Sequence, residues 1–119
     1  MMHNFRDLEV WTKSMKLCKM FYTISKEFPK DEMFGLTSQA RRSLYSIPAN
    51  IAEGAGRDTD AQFSHFLNIA LGSSFEFETQ ILIANDIGFF KNVDFNIIHS
   101  EIKHIQNMLA KLKQKIKNQ

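Results

Sequence analysis

Glu101 and His104 are the residues whose spacing comes nearest to a catalytic or metal-binding pattern. Glu-x-x-His puts a carboxylate and an imidazole on one helix face, as in the di-iron sites of helical bundles. Such a site needs two of these pairs and two further inward glutamates. This chain offers one pair, set beside an isoleucine seam rather than in it, so a solvated pair is expected. His3, His65 and His99 show no zinc spacing with one another or with Cys18. Cys18 is the only cysteine, which excludes an internal disulfide and a multi-cysteine metal site. It falls in an apolar seam, where a free cysteine behaves as a small hydrophobe. No serine or cysteine has a base at recognisable spacing. Glu53-Gly54-Ala55-Gly56-Arg57 could be a phosphate loop, but such loops follow a strand and none is readable upstream. Its glycines read instead as a helix stop. No catalytic residue, metal or cofactor is expected, and the chain does not read as an enzyme.

The remaining chemistry is cationic. Lys13, Lys16 and Lys19 have no acid between them, Arg41 projects from the next helix, and Lys111, Lys113, Lys115 and Lys117 crowd the C-terminal end. These groups could contact phosphates. They could equally keep a bundle soluble and favour the helix dipole at its negative end. A net charge of +2 and a pI near 8.7 fall short of the value above about 9 that marks a dedicated nucleic-acid binder. Repetition of each patch around a symmetric ring would shift that balance.

A second polar feature lies between Gly35 and Arg57. Gln39, Arg42, Ser46, Asn50 and Glu53 step by threes and fours beside an apolar row of Leu36, Ala40, Leu44, Ile47 and Ile51. A polar row flanking a core seam is partly buried and must find partners. Arg42, Asn50 and Glu53 are therefore expected to be shielded and hydrogen-bonded. Pro48 within this helix removes a donor and crowds the carbonyl of Leu44, so a bend is expected there.

Four helices position these groups. Asn4 is placed to cap helix 1, which runs to about Glu27 and stops at Phe28-Pro29. It carries two apolar seams. One is Leu8, Trp11, Met15, Cys18, Tyr22 and Ser25; the other is Val10, Ser14, Leu17, Phe21, Ile24 and Phe28. A helix apolar around most of its circumference is covered on two sides, by a wide internal core or by a partner subunit. Thr37 is the expected cap of helix 2. Thr59 and Gln62 have capping-box spacing and open helix 3. Its seam is Phe63, Phe66, Leu67, Ala70, Ser74, Phe77, Ile81 and Ala84, with Gly72 and Ser73 read as a close-packing site and Gly88 as the stop. Leu71, Phe75 and Leu82 widen its apolar face beyond the need of one bundle. Asp94 then caps helix 4, whose seam is Ile98, Ile102, Ile105, Leu109, Leu112 and Ile116. The expectation is an all-α, antiparallel up-down four-helix bundle in a single domain, 1–119, of a chain of 119 residues. Val10, Leu17, Phe21, Leu71 and Phe75 are the expected subunit contacts of a homo-oligomer. With 44% hydrophobic residues, two prolines and five glycines, the chain is neither disordered nor loop-rich. No signal peptide or membrane-spanning run is readable, and a cytoplasmic location without membrane contact is expected.

Motifs extending over nearly the whole chain resemble one family. They are Phe5-Arg6-Asp7-Leu8 with Val10-Trp11, Phe28-Pro29 with Glu32, Gly35-Leu36-Thr37 with Gln39, Arg41-Arg42, Ser46-Ile47-Pro48, Asn50-Ile51-Ala52-Glu53-Gly54, and Gly72-Ser73 with Glu76. The sequence is similar to the four-helix-bundle proteins encoded in intervening sequences of bacterial 23S ribosomal RNA genes. The polar row of helix 2 coincides with that family's signature positions; Leu44-Tyr45 departs from it, being larger than usual. The resemblance implies a homopentameric ring and no catalysis. A related branch, the accessory proteins of diversity-generating retroelements, binds nucleic acid and a reverse transcriptase. Three functions stay open on the sequence: a ring that binds RNA, DNA or a ribonucleoprotein, a scaffold for a protein partner, and an enzyme.

Overall fold

The computed structural model describes residues 3–118, so Met1, Met2 and Gln119 of the expected domain lie outside the described residues. Four α-helices run up and down in one bundle of 45 × 23 × 20 Å: α1 Glu9–Ser25, α2 Leu36–Ala55, α3 Asp60–Asp86 and α4 Asn92–Lys117. Each helix contributes a row of buried residues at steps of three and four, which is what joins them around one core. From α2 come Ala40, Leu44, Ile47, Ile51 and Ala55; from α4, Ile98, Ile102, Ile105, Leu109 and Ile116.

The chain starts differently from its expected cap. Asn4 Oδ1 accepts from the Arg6 amide at 3.2 Å and caps a single 3-10 turn, Phe5–Asp7. Leu8 is extended, and α1 begins only at Glu9. The turn folds the N-terminal segment across the end of the bundle. There the His3 amide donates to Ala55 O at 2.8 Å, and the Phe5 ring meets Trp11 edge-on at 5.0 Å. Of the two seams on α1, Val10, Ser14, Leu17, Phe21 and Phe28 are buried in the chain itself, as are Cys18 and Ser25 of the other. The first seam is thus covered within the chain, while Leu8, Trp11 and Met15 of the second are half-buried and Tyr22 is exposed. The buried serines of α1 are satisfied locally: Ser14 and Ser25 donate to the carbonyls of Trp11 and Tyr22, three residues back.

Phe28 sits against Phe21, Phe89 and Phe90 at centroid distances of 5.9, 5.6 and 4.9 Å, closing the opposite end. The cap of α2 is not Thr37, which is buried inside the helix with its hydroxyl unpartnered. Gly35 occupies the cap position, and Glu32 Oε1 accepts the Leu36 amide at 3.2 Å, placing a carboxylate at the positive end of α2. The helix continues through Pro48, and Gly54 lies within it, not beyond its end. A Cβ on Gly54 would come within 2.7 Å of Phe66 Cβ and 3.2 Å of the Phe63 carbonyl oxygen, so this glycine sets how closely α2 and α3 approach.

The capping box of α3 is formed: the Gln62 amide donates to Thr59 Oγ1 at 3.1 Å, and the Thr59 amide donates to Gln62 Oε1 at 3.3 Å. Its far end closes on Gly88, at φ +87°. The Phe89 amide returns to Ala84 O at 2.9 Å and that of Gly88 to Asn85 O at 3.1 Å. This is the double bond of a Schellman turn, which needs a left-handed residue. Asp94 does not cap α4; Lys91 holds that position and Asp94 lies in the first turn, where its charge still suits the helix dipole.

Candidate nucleic-acid interface

The polar row of α2 is only partly covered. Gln39, Arg42 and Glu53 are exposed, and Ser46 and Asn50 are half-buried. Ser46 Oγ donates to Ser73 Oγ at 2.5 Å, while Asn50 Nδ2 turns back to Ser46 O at 2.8 Å. Glu53 reaches no neighbouring helix; it pairs with Arg57 at 3.4 Å along its own surface. The expected shielding is thus not found for Arg42 and Glu53 in the single chain, whereas Asn50 is half-buried and bonded to Ser46 of its own helix. The reason is rotational. The seam of Ala40, Ile47 and Ile51 points inward, and the polar row sits one step further out. The polar residues that α2 does bury are Thr37 and Ser43, and the Ser43 hydroxyl lies 2.6 Å from Gln80 Oε1 and 3.1 Å from Ala40 O.

Arg41 is likewise committed inside the fold. Its Nε donates to Ser25 Oγ at 2.9 Å and its Nη2 to Tyr22 O at 3.4 Å, and its guanidinium lies 4.7 Å from the Tyr22 ring centroid. It ties the end of α1 to α2 and is not a free phosphate ligand, which corrects the sequence expectation.

The lysines divide into three groups. Lys13 and Lys16 line a groove of about 250 Å³ between α1 and α4, together with Glu9, Met20 and Glu101. On α4, Lys111 and Lys115 fall on the Glu101 flank by heptad spacing, about 15 and 21 Å farther along the helix than the groove. Lys113 and Lys117 turn the other way, toward Asp60, Ser64 and Asn68 at the start of α3. Lys19 lies on the α2 side of α1, in a groove with Tyr22, Thr23 and Tyr45. The groove itself holds Lys13 and Lys16, with Lys111 and Lys115 farther along the same flank of α4. Glu9 and Glu101 interrupt it.

The expected subunit contacts also divide. Val10, Leu17 and Phe21 are 3%, 1% and 0% exposed within the chain and have no surface to offer a partner. Leu71 is half-buried and Phe75 is 51% exposed. Phe75 belongs to an outward face of α3 with Ile69, Leu82 and Ile83, all exposed. Gly72 sits among them with nothing within 4 Å of where a Cβ would be, so no neighbour in the chain explains it.

Sequence reasoning missed the polar bridge between α3 and α4. Glu78 Oε1 accepts from Gln106 Nε2 at 2.9 Å, and Glu78 Oε2 lies 2.9 Å from His99 Nε2. These hydrogen bonds, Gln106 first and His99 second, hold the Glu78 carboxyl below its ordinary pKa. The signal lay in Glu78 falling at seam spacing between Phe75 and Leu82. Burial pushes the Cys18 thiol up to about 12. Glu101 lines the α1–α4 groove and His104 is exposed. Among the described residues no three His, Cys, Asp or Glu side chains converge as metal ligands would. No helix among them is long and apolar enough to cross a membrane.

The fold recurs in a crystal structure of a protein of unknown function from the S23 ribosomal protein family of Bacteroides thetaiotaomicron. The two align with a TM-score of 0.82 at 24% identity, covering 88% of this chain and 95% of that one. No match was found among curated proteins. The model of the 23S rRNA-intervening sequence protein family matches residues 6–111, and the chain belongs to that family.

Proposed function

We propose that the protein is a non-enzymatic, self-assembling bundle whose closed ring, a pentamer, binds nucleic acid or a ribonucleoprotein through phosphate contacts. The observation that carries this reading is the outward apolar face of α3. Ile69, Phe75, Leu82 and Ile83 are exposed on one helix around a glycine that would let a second helix approach closely. Exposed apolar side chains gathered on one helix face support an interaction site there. Assembly through the outward face of α3 leaves the α1–α4 groove, with Lys13 and Lys16, outside the subunit contact, and Lys111 and Lys115 lie farther along the same flank of α4. Ring repetition then multiplies a weak phosphate contact. The family's name, taken from a ribosomal RNA gene, is in keeping with a nucleic-acid partner.

A second reading, a protein-interaction scaffold, is favoured by Glu9 and Glu101, which lie among the lysines and weaken their pull on phosphates. Two measurements separate the readings. Light scattering on the purified protein and on a Phe75→Glu, Ile83→Glu variant tests assembly; a ring that dissociates while its helices stay intact is expected, and a wild-type monomer at micromolar concentration overturns the proposal. Filter binding to RNA and DNA at low salt tests the partner. Absence of binding with the oligomer intact leaves the scaffold in place.

A further inference from the structure

A separate surface, on the α1–α2 side, has the composition of a single-strand stacking site. Phe34 is 96% exposed, the most exposed large apolar side chain among the described residues. It shares a groove with Arg41, Arg42 and Tyr45, and Tyr45 also lines the adjoining groove that holds Lys19 and Tyr22. The charged side chains lining these two grooves are Lys19, Arg41 and Arg42, all cationic. The Tyr22 ring already carries Arg41 and the Lys26 ammonium, at 4.7 and 4.8 Å. The aromatic faces left to an incoming group are those of Phe34 and Tyr45. Phe34 precedes α2, and Tyr45 lies nine residues beyond its first residue, Leu36, about 14 Å along the helix axis. Arg42 is exposed between them, with no hydrogen bond or ion pair to occupy it among the described residues.

We infer that this groove binds single-stranded nucleic acid, with bases stacking on Phe34 and Tyr45 and the backbone phosphates drawn to Arg42 and Lys19. The argument is charge complementarity joined to planar apolar faces. A strand with unstacked bases supplies both an anionic backbone and π-faces, whereas a duplex hides its base faces. An acidic peptide would match the cations but would have no particular use for two separated aromatic rings. Arg41, fixed by Ser25 and the Tyr22 carbonyl, serves as the rigid floor that keeps the groove cationic. This inference rests on the reading of the protein as a nucleic-acid binder. It assigns the bases to a surface distinct from Lys13, Lys16 and the lysines of α4.

The test compares a short oligothymidylate with an abasic strand of equal length, which keeps the phosphates and lacks the bases. Fluorescence anisotropy at low salt is expected to show the wild-type ring binding oligothymidylate about 10-fold more tightly than the abasic strand. Phe34→Ala and Tyr45→Ala each reduce that preference, and Tyr45→Phe, which keeps the ring, preserves it. Lys111→Gln with Lys115→Gln weakens both probes in parallel. Phe34 is almost free of contacts, so its removal leaves the fold intact. Equal binding of the two probes overturns the groove while leaving phosphate-mediated binding standing; so does a preference that survives both alanine variants. A fall in oligomer mass with Phe34→Ala identifies the groove as a subunit contact and overturns it too. No binding of either strand or of duplex removes the groove and the nucleic-acid function together.

Discussion

The thiol of Cys18 donates to the carbonyl oxygen of Leu44 at 3.8 Å. Leu44 is the residue whose carbonyl would have been bonded by the amide of residue 48, and residue 48 is a proline. The proline inside α2 therefore orphans a buried acceptor, and α1 supplies a soft donor to it. The cysteine is there for its position, not its reactivity: burial holds the thiol protonated, with a pKa of about 12.

A double-mutant cycle tests that relationship. Cys18→Ala is expected to destabilise the protein by about 1–3 kcal/mol, the range for leaving a buried acceptor unmet. Cys18→Ser, which keeps a donor, should be tolerated better. With Pro48→Ala the amide returns to α2 and satisfies Leu44, so the loss from Cys18→Ala should shrink. Denaturant melts of the single and double variants measure it, and additive effects would show that the two sites are independent. Thiol reagents at neutral pH should modify Cys18 only on unfolding.

Gly54 offers a second check. An alanine there places Cβ against Phe66 Cβ and the Phe63 carbonyl, and the latter, being backbone, cannot swing aside. Overpacking of this kind typically costs about 1–3 kcal/mol, which outweighs the gain of under about 1 kcal/mol in helix propensity. Gly54→Ala is expected to lower the melting temperature; an unchanged or raised value would mean that α2 and α3 can separate freely.

The Glu78 bridge makes stability depend on acid. Its folded pKa lies below the ordinary value because Gln106 and His99 bond the carboxylate. Between the folded and unfolded pKa values the unfolded chain binds more protons, so stability rises with pH through that window. It is fully present above the ordinary carboxylate pKa and is lost as pH falls through the lowered one. Glu78→Gln should flatten the part of the acid melting curve that Glu78 contributes, and Gln106→Ala should reduce it. Identical acid profiles for wild type and Glu78→Gln would show that the bridge is not coupled to folding.

The sequence carried the bundle because each helix repeats its apolar positions at steps of three and four, and the capping box and Gly88 mark the ends of α3. The caps of α2 and α4 were illegible for a physical reason. Glu32 caps α2 from outside the helix, through a turn that no local motif announces, and Lys91 caps by backbone alone. The polar row was readable as a row but not in its rotation, since one residue's turn separates the buried Ser43 from the exposed Arg42. Arg41 looked free because its partners, Ser25 and Tyr22, are distant in sequence and meet it only when α1 folds back. The crowded α1 seams looked like spare surface for the same reason: periodicity counts apolar positions, and only packing shows how many neighbours cover them.

The lysines are where the proposed phosphate contacts can be measured. Lys13 and Lys16 line one groove and Lys111 and Lys115 continue its α4 flank farther along the helix, whereas Lys113 and Lys117 face the start of α3. If the first group makes the phosphate contacts, changing Lys111 and Lys115 to glutamine should weaken binding uniformly across sequences. It should also flatten the salt dependence by about 0.9 logarithmic units per lost contact on duplex DNA. Changing Lys113 and Lys117 should do less. Glu101→Gln, which removes a carboxylate from the same groove, should act in the opposite direction and tighten binding. Gel-shift titrations at several salt concentrations measure all three. A slope that stays constant in the Lys111, Lys115 variant would move the phosphate contacts off this surface. An unchanged affinity in Glu101→Gln would show that the groove's own acids do not hold the lysines back.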